Sequence, residues 1–311
     1  MWGRADRSAP VDRDPLRHRA FWAGLSAPGI AWLAVFVLVP FYAVLAVAGG
    51  QINEVLGTPV PAWNPLSWGG AAYQGVFGDI VGAGAFLGPV IVRTLVYVAV
   101  ASTLALLIGY PVAYYVSRFA GKRRGLLLAL LLAPFWVSYM MRMLAWIDLL
   151  QSDGYVNRVL QGLHIIGSPV NWLGGESATV VLGLVYGYLP YLILVLFAGL
   201  DRIDPSLIEA GRDLGLNRAR TFVRITLPLS RQSIVTGLLI TVLPMIGDYY
   251  TNTMLSGTSG TSMIGNVIDG QLQASSLQTQ GAVLSLLLLG VLLLPMLYYV
   301  IVTNRASVVA S

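Results

Sequence analysis

The chain has 311 residues, of which 56% are hydrophobic and only 11% are charged. This composition excludes a water-soluble globular protein, because too little polar surface is available to cover a folded chain of this length. The absence of cysteine excludes disulfides, thiolate catalysis and cysteine-ligated metals. The net charge is +5, but the basic residues lie between long apolar segments, so we expect an integral membrane protein and no nucleic-acid partner.

Six segments with little or no charge are long enough to cross about 30 Å of hydrocarbon at about 1.5 Å per residue of helix. In chain order, they are residues 28–49, 94–117, 126–147, 178–200, 232–254 and 281–303. Asp248 interrupts the fifth segment. We therefore predict an all-α, polytopic membrane protein with six transmembrane helices. The predicted transmembrane domain covers residues 28–303, with tails at residues 1–27 and 304–311.

The basic residues predict the orientation of the spans, since Lys and Arg concentrate on the cytoplasmic side of a membrane. All but Arg93, Arg142 and Arg158 lie in the N-terminal tail, in the second-to-third and fourth-to-fifth connections, or after the last span. Both termini are therefore expected in the cytoplasm of a bacterial cell, with the chain in the inner membrane. A cleavable signal peptide ending near Ala46-Val47-Ala48 is the alternative, but the first apolar run is longer than a signal-peptide core.

The segments predicted outside the membrane, residues 51–89 and 151–177, are poor in charge and rich in Gly, Pro and Trp. Their aromatic residues suit the membrane–water interface, where a ring is half buried and its polar atom reaches water. The alternative is that these segments, together with residues 256–262, form a platform on which a substrate-delivery protein lands.

The connection between the fourth and fifth spans, residues 201–231, is predicted to carry a short helix on the cytoplasmic side. Asp204 is placed to cap this helix and Pro205 to occupy its first position. Gly215 and Asn217 are expected to end it. Apolar residues within the helix give it one side that can pack against the spans.

The residue order in this connection resembles the cytoplasmic coupling signature of permease subunits in binding-protein-dependent ABC importers. The signature reads Glu209-Ala210-Gly211-Arg212-Asp213-Leu214-Gly215 and then Ile225-Thr226-Leu227-Pro228. It departs from the family pattern at Gly211, where a second alanine is usual. The resemblance implies that this coupling segment, residues 201–231, is held by a separate ATPase. The candidate contact residues are Glu209, Ala210, Gly211, Asp213, Gly215, Ile225, Leu227 and Pro228.

An ordinary charged loop between two helices is the alternative interpretation of the coupling segment. Glu209 and Arg212 are three residues apart, so they are predicted to pair on one face of the short helix. The match of an ordered motif over some twenty residues favours the coupling interpretation over composition alone.

Further motifs narrow the resemblance to the first permease subunit of spermidine/putrescine importers. They are Gly109-Tyr110-Pro111-Val112-Ala113-Tyr114, Pro134-Phe135-Trp136-Val137-Ser138-Tyr139, Gly154-Tyr155-Val156-Asn157 and Met263-Ile264-Gly265-Asn266. This resemblance implies a type I ABC importer in which two different permease subunits form a heterodimer. It also implies two ATP-binding subunits and an extracytoplasmic solute-binding protein. Related permeases move iron, sulfate, thiamine or phosphonates, which are the alternative solutes.

ATP hydrolysis within this chain is not expected. A phosphate-binding loop needs G-x-x-x-x-G-K-[ST], whereas the only lysine, Lys122, is followed by Arg123 and lacks the first glycine. His18 and His164 are too few and too far apart in sequence to indicate a metal site. We predict a non-catalytic subunit without a cofactor or metal, with ATP and Mg²⁺ bound by the partner ATPase. An ion-coupled secondary transporter, which usually carries internal repeats, and a membrane enzyme are the alternatives.

Ionisable residues inside predicted spans are candidates for function, because a charge in hydrocarbon costs at least about 2.5 kcal/mol. Arg142 and Asp248 are expected at similar depth, so they either form a structural pair or line the solute path. Carboxylates and aromatic rings suit a cationic solute. The candidate residues of the path are Asp148, Asp248, Tyr249, Tyr250, Trp146, Trp136, Tyr139 and Arg142.

Overall fold

The computed structural model describes residues 15–53, 55–82 and 84–309, and these residues are mostly helical. The helices are, in chain order, α1 (Pro15–Ala48), α2 (Ala71–Val81), α3 (Leu87–Arg118), α4 (Arg124–Leu132), α5 (Tyr139–Leu150), α6 (Tyr155–Gly162), α7 (Ser177–Asp201), α8 (Pro205–Asp213), α9 (Arg218–Thr221), α10 (Leu227–Leu229), α11 (Arg231–Ile246), α12 (Tyr250–Leu255), α13 (Ile264–Gln273) and α14 (Gln278–Val309). The basic residues Arg4, Arg7 and Arg13 of the predicted N-terminal tail lie outside the described residues.

Within the described part of the chain, four single helices are long and apolar enough to cross a membrane, namely α1, α3, α7 and α14. Two helix pairs, each bent at a short break, bring the number of spans to six if each pair is one span. The polytopic, six-span fold expected from the sequence is therefore the observed one. A two-stranded antiparallel hairpin, β1 (Gln51–Ile52) and β2 (Pro59–Val60), is a small addition outside the spans.

Helices α3 and α7 form the centre of the bundle, and α11 packs against both of them. Small residues allow the close approach of α3 to α7: a Cβ on Gly109 would already lie 3.3 Å from Ile193 and Leu189. The C-terminal halves of α3 and α7 share one apolar core, which also includes Ile203 just beyond the end of α7. By contrast, α1 and α14 contact each other at the periphery and leave most apolar side chains exposed, as lipid-facing helices do.

The third span departs from the straight helix predicted over residues 126–147. Its chain bends by 86° between the two halves of the span. Pro134 lies in the last turn of the first half, and Val137 and Ser138 adopt extended backbone at the break. The Ser138 hydroxyl then caps α5 by accepting from the Met141 N–H. A proline removes a backbone donor and favours such a break, so the third span consists of two helical segments.

The fifth span also differs from its prediction over residues 232–254. It bends by 60° after Leu229, and α11 ends at Ile246 rather than continuing to Met254. Gly247 and Asp248 form a break before α12 begins at Tyr250. Asp248 therefore lies at a helix end, where its carboxylate can accept backbone N–H groups, rather than within a continuous helix.

Candidate functional site

A cavity of about 480 Å³ opens beside the break in the fifth span. It is lined by Tyr139 of α5, by Gly187, Tyr188 and Tyr191 of α7, by Ile240 and Pro244 of α11, and by Gly247, Asp248, Tyr249 and Tyr250. Five of these residues are tyrosines. Of the described residues that line the cavity, Asp248 alone has a carboxyl group, and none is basic. The cavity thus combines one carboxylate with several aromatic rings.

Asp248 is only 8% exposed, and hydrogen bonds from two helices fix its carboxylate. Oδ1 accepts from the Thr251 N–H at 2.9 Å, and Oδ2 accepts from the Thr251 hydroxyl at 2.7 Å and from the Tyr188 hydroxyl at 3.0 Å. The Tyr139 hydroxyl in turn bonds to the Thr251 hydroxyl. Both carboxylate oxygens therefore accept hydrogen bonds, which offsets the cost of burying this polar side chain.

Two glycines allow the chain to close around Asp248. A Cβ on Gly265 would lie 2.6 Å from the Gly247 carbonyl oxygen, so only glycine lets α13 approach the break so closely. Asn266, the next residue, donates to the Tyr249 carbonyl at 2.8 Å. A Cβ on Gly187 would press on the Tyr139 ring at 3.2–3.3 Å. The motif Met263-Ile264-Gly265-Asn266 therefore supports the break that carries Asp248.

Arg142 lies behind Tyr139 and does not pair with Asp248. In the described chain the one ion pair joins Arg124 to Asp201, so the structural pair, one of the two alternatives for Arg142 and Asp248, is not observed. The guanidinium carbon instead lies 4.1 Å from the centre of the Phe135 ring, 5.2 Å from that of Tyr139 and 5.8 Å from that of Tyr186. Its Nε and Nη1 are buried with no hydrogen-bond partner among the described residues. Cation–π contacts with these rings thus offset the cost of burying the guanidinium group.

The remaining residues predicted for the solute path lie apart from the cavity. Trp136 is 86% exposed at the bend of the third span. Trp146 packs edge-on against Tyr186 at 5.3 Å. Asp148 is exposed near the C-terminal end of α5 and accepts from Gln151 at 3.4 Å. Of the eight predicted residues, the structure brings together Tyr139, Asp248, Tyr249 and Tyr250.

Several cavity residues were missed from the sequence. Tyr188 and Tyr191 line the cavity from the apolar helix α7, which has no charged residue beside them. Thr251 was also missed; it lies outside the lining and donates to Asp248. The spacing of Tyr188 and Tyr191 by three residues places them on one face of α7. That spacing, together with Gly187, was the available signal.

The coupling segment has the short helix that the sequence predicts. In α8 the Asp204 carboxylate accepts from the Ser206 N–H at 2.9 Å, and Pro205 is the first helical residue. Hydrogen bonds from Ser206 hold the pKa of the Asp204 carboxyl below its usual range. The helix end follows a Schellman arrangement, in which Gly215 has φ of +83° and the Leu216 N–H donates to the Gly211 carbonyl at 3.1 Å.

Two details of the coupling segment differ from expectation. Asn217 begins a second helix rather than ending the first, because its side chain accepts from the Arg220 N–H at 2.8 Å. Glu209 and Arg212 form no ion pair in the part of the chain that the structure describes. Glu209, Ala210, Asp213 and Gly215 are all exposed, and Leu214 is 85% exposed. The exposed surface of α8 and its C-terminal end is therefore polar, with Leu207 and Leu214 as exposed apolar residues.

The two parts of the coupling signature contact each other through Gly211. This glycine is buried, and a Cβ built on it would clash with Cδ1 of Ile225. Ile225 lies in a π-helical turn, Phe222–Thr226, which leads into α10 with Leu227 and Pro228. The departure from alanine at position 211 is explained by this contact, since glycine leaves room for the isoleucine side chain.

Comparison with known proteins agrees with this fold. Residues 105–308 match the family described as binding-protein-dependent transport system inner membrane component. The chain is 36% identical over 182 residues to the spermidine/putrescine transport system permease protein PotB of Escherichia coli K12, covering 58% of this chain and 66% of that protein, just under two thirds of its length. It is 33% identical over 243 residues to PotB of Haemophilus influenzae, covering 78% of this chain and 79% of that protein.

Solved structures show the same architecture at low sequence identity. A chain of a bacterial alginate ABC transporter, crystallised with an alginate-bound periplasmic protein, superposes with a TM-score of 0.67 at 16% identity and covers 96% of this chain and 98% of its own length. A chain of the MetNI methionine ABC transporter superposes with a TM-score of 0.51 at 17% identity, covering 70% of this chain and 95% of its own. With the fold, the coupling segment and the family match in agreement, the chain belongs to the inner membrane components of binding-protein-dependent transport systems.

Proposed function

We propose that the chain is a permease subunit of an ATP-driven importer and forms part of the path by which a polyamine crosses the bacterial inner membrane. The observation that carries the choice of solute is the cavity beside Asp248, in which a buried carboxylate is surrounded by tyrosine rings. The likeness to spermidine/putrescine permeases supports the same choice.

A polyamine suits this cavity because its ammonium groups gain from both features of the lining. Coulomb attraction to one carboxylate increases where water is thinned out, and ammonium groups bind favourably over tyrosine faces. The methylene chain between the ammonium groups can lie on the apolar parts of the same rings. An anionic solute would meet the Asp248 carboxylate with no cation in the lining.

The coupling segment is proposed to be the surface held by an ATPase subunit. Its exposed charges and Leu214 present a mixed surface that a separate protein can grip. In this proposal ATP and Mg²⁺ bind to two partner ATPase subunits, a second homologous permease completes a heterodimer, and an extracytoplasmic binding protein delivers the solute.

Both termini and the coupling segment are proposed to face the cytoplasm. Arg124, in the connection after α3, pairs with Asp201 at the end of α7 at 3.2 Å, so the two most basic connections lie at the same end of the bundle. Tags at residue 1 and after Ser311 are expected to report the cytoplasm, and a fusion at Gly174-Gly175 the outside. Termini accessible from outside would overturn this orientation.

The decisive experiment identifies the solute retained by the cognate binding protein and measures its uptake in proteoliposomes that contain all subunits. We expect saturable uptake of labelled spermidine or putrescine that needs internal ATP and the binding protein. Glu209→Ala is expected to remove most binding-protein-stimulated ATPase activity while membrane insertion stays normal. Retention of sulfate, thiamine or a phosphonate would overturn the polyamine assignment, and ATP-independent uptake would overturn the importer.

A further inference from the structure

Helix α3 contacts both ends of the coupling segment, although the two are far apart in sequence. At the first end, Nη2 of Arg118 donates to the carbonyl oxygens of Leu200 and Ile203 at 2.8 and 3.0 Å. Leu200 lies in the C-terminal turn of α7 and Ile203 is the second residue after it, where backbone acceptors lack helical partners. A cation is also favoured at this helix end by the helix dipole.

At the second end, Tyr110 of α3 shares a hydrogen bond of 2.8 Å with the Ser230 hydroxyl. Tyr110 is 8% exposed and Ser230 is fully buried. Ser230 is the last residue before α11 and follows the Leu227-Pro228 pair. The Phe222 ring lies edge-on to Tyr110 and Tyr114, with centres 5.8 and 5.5 Å apart. Helix α3 therefore holds the coupling segment at both of its ends.

The opposite end of α3 reaches the structure that carries Asp248. Thr94 is buried, and its Oγ1 accepts from the Ile264 N–H at 2.9 Å, at the start of α13. Arg93 donates to the carbonyls of Ser259 and Ser262 at 3.0 and 3.2 Å. Gly265, which follows Ile264 in α13, packs directly on the Gly247–Asp248 break.

These contacts make α3 a continuous link between the two sites. From Thr94 to Arg118 the helix is about 36 Å long at about 1.5 Å per residue. Coupling between distant sites is carried by packed helices and hydrogen bonds of this kind. We propose that α3 carries displacement of the coupling segment to the Asp248 break, with Arg118, Tyr110 and Thr94 as positioning residues. This inference rests on the proposed importer function.

The test uses the assembled importer in proteoliposomes and compares Arg118→Met and Tyr110→Phe with wild type. Basal ATPase activity is expected to stay unchanged, while stimulation by the binding protein falls about fivefold or more, as for loss of coupling between sites. The amount of solute moved per ATP is expected to fall with it. Arg118→Lys, which keeps a charged donor, is expected to recover part of the stimulation.

Two of the positioning residues, Arg118 and Tyr110, have matched controls nearby in the sequence. Arg123→Met removes an exposed cation from the same connection, and Tyr115→Phe removes an exposed hydroxyl from the same helix. Both are expected to behave as wild type. Complex yield and thermal stability, measured for every variant, separate a positioning role from simple unfolding.

Double variants test whether the contacts act as one link. Tyr110→Phe combined with Ser230→Ala is expected to be no worse than Ser230→Ala alone, because both changes remove the same Tyr110–Ser230 bond. Ser230→Ala also removes the bond from the Ser230 hydroxyl to the Leu227 carbonyl. Thr94→Val is also expected to lower stimulation, although it is remote from the ATPase, and Thr94→Ser is expected to keep it. Combining Thr94→Val with Arg118→Met is expected to add little.

Different results would overturn the role of α3 and the importer assignment. Wild-type stimulation in assembled Arg118→Met and Tyr110→Phe complexes would overturn the role of α3 and leave the importer assignment intact. Should Arg118→Met fail to assemble, the Tyr110, Ser230 and Thr94 variants decide the same question. Absence of binding-protein-stimulated ATPase activity in the wild-type complex would instead overturn the proposed function.

Discussion

The coupling segment and the cavity beside Asp248 obtain their structures in different ways. The coupling segment is mostly exposed, and residues within it set its helix ends, such as Asp204, Gly215 and Asn217. The cavity is assembled from α5, α7, α11 and the break before α12. A segment with internal caps can be displaced with little change of shape, whereas a cavity between helices changes shape when any of them moves. This difference suits one site to receive a push and the other to respond to it.

Gly215→Arg tests the coupling side most severely. Gly215 has φ of +83°, and the space where a side chain would begin is open, so the cost lies in the backbone, about 1–2 kcal/mol for a non-glycine residue. The long cation also projects into the surface proposed to meet the ATPase. We expect binding-protein-stimulated ATPase activity to fall about tenfold or more, which corresponds to ~1.4 kcal/mol of lost coupling.

Gly215→Asn is the matched control, since asparagine tolerates the left-handed conformation. It is expected to keep most of the stimulated activity and normal membrane insertion. Wild-type activity in the Gly215→Arg complex would contradict the assignment of this helix end to the ATPase interface.

Asp248→Asn tests the cavity side. The amide keeps the side-chain volume, and the hydroxyls of Tyr188 and Thr251 can reverse to accept hydrogen bonds from it. Assembly is therefore expected to stay normal, while spermidine uptake falls about tenfold, equal to ~1.4 kcal/mol of lost attraction. Complex yield and labelled uptake are the measurements.

Asp148→Asn is the matched control, because Asp148 is exposed and lies outside the cavity lining. Its uptake is expected to match wild type. If the assembled Asp248→Asn complex transported spermidine normally, the cavity would not be part of the cation path.

Arg142→Met tests whether Arg142 stabilises the fold or takes part in solute transport. Within the described residues, the change removes no ion pair and no hydrogen bond donated by Nε or Nη1, so methionine can fill the space between the aromatic rings. A loss of about 0.5–2 kcal/mol is expected from the cation–π contacts. Thermal unfolding of the complex should shift by a few degrees, with uptake reduced less than in Asp248→Asn.

The comparison variant is Arg158→Met, which removes an exposed guanidinium 5.6 Å above the Tyr155 ring. It is expected to leave both stability and uptake unchanged. Severe instability of Arg142→Met that Asp248→Asn relieves would instead show a direct electrostatic pair.

Gly211→Ala is expected to have the smallest effect. The new methyl group meets Cδ1 of Ile225, which is the flexible end of a side chain, while alanine favours the helix by up to about 1 kcal/mol. Stimulated ATPase activity is expected to fall no more than about twofold, a change below ~0.5 kcal/mol. Adding Ile225→Val, which removes Cδ1, is expected to restore it; no restoration would mean that another contact of Gly211 matters.

Local signals explain how much of the coupling segment could be predicted. Asp204 and Pro205 act within one turn of the chain, so their cap was predictable, and the positive φ of Gly215 follows the usual helix end. Asn217 was assigned to the wrong helix because a capping residue can end one helix or begin the next. The burial of Gly211 against Ile225 was not predictable, since fourteen positions separate them in the sequence.

The cavity was predicted only through its charge and its aromatic neighbours in sequence. Asp248, Tyr249 and Tyr250 are consecutive, and an acidic residue in an apolar span draws attention. Trp136 and Trp146 were selected by the same reasoning, yet they lie outside the cavity lining. The sequence left open whether Arg142 pairs with Asp248 or lines the path, and the structure shows no such pair among the described residues.

By itself, the sequence determined membrane insertion, the number of spans, the family and the position of the coupling segment, because hydropathy, charge placement and local caps act over short stretches of chain. Only the tertiary structure decided which tyrosines surround Asp248 and which aromatic rings contact the buried Arg142 guanidinium. It also decided that α3 contacts both ends of the coupling segment. Those arrangements depend on how helices cross and where they break, and contacts between residues far apart in sequence set both.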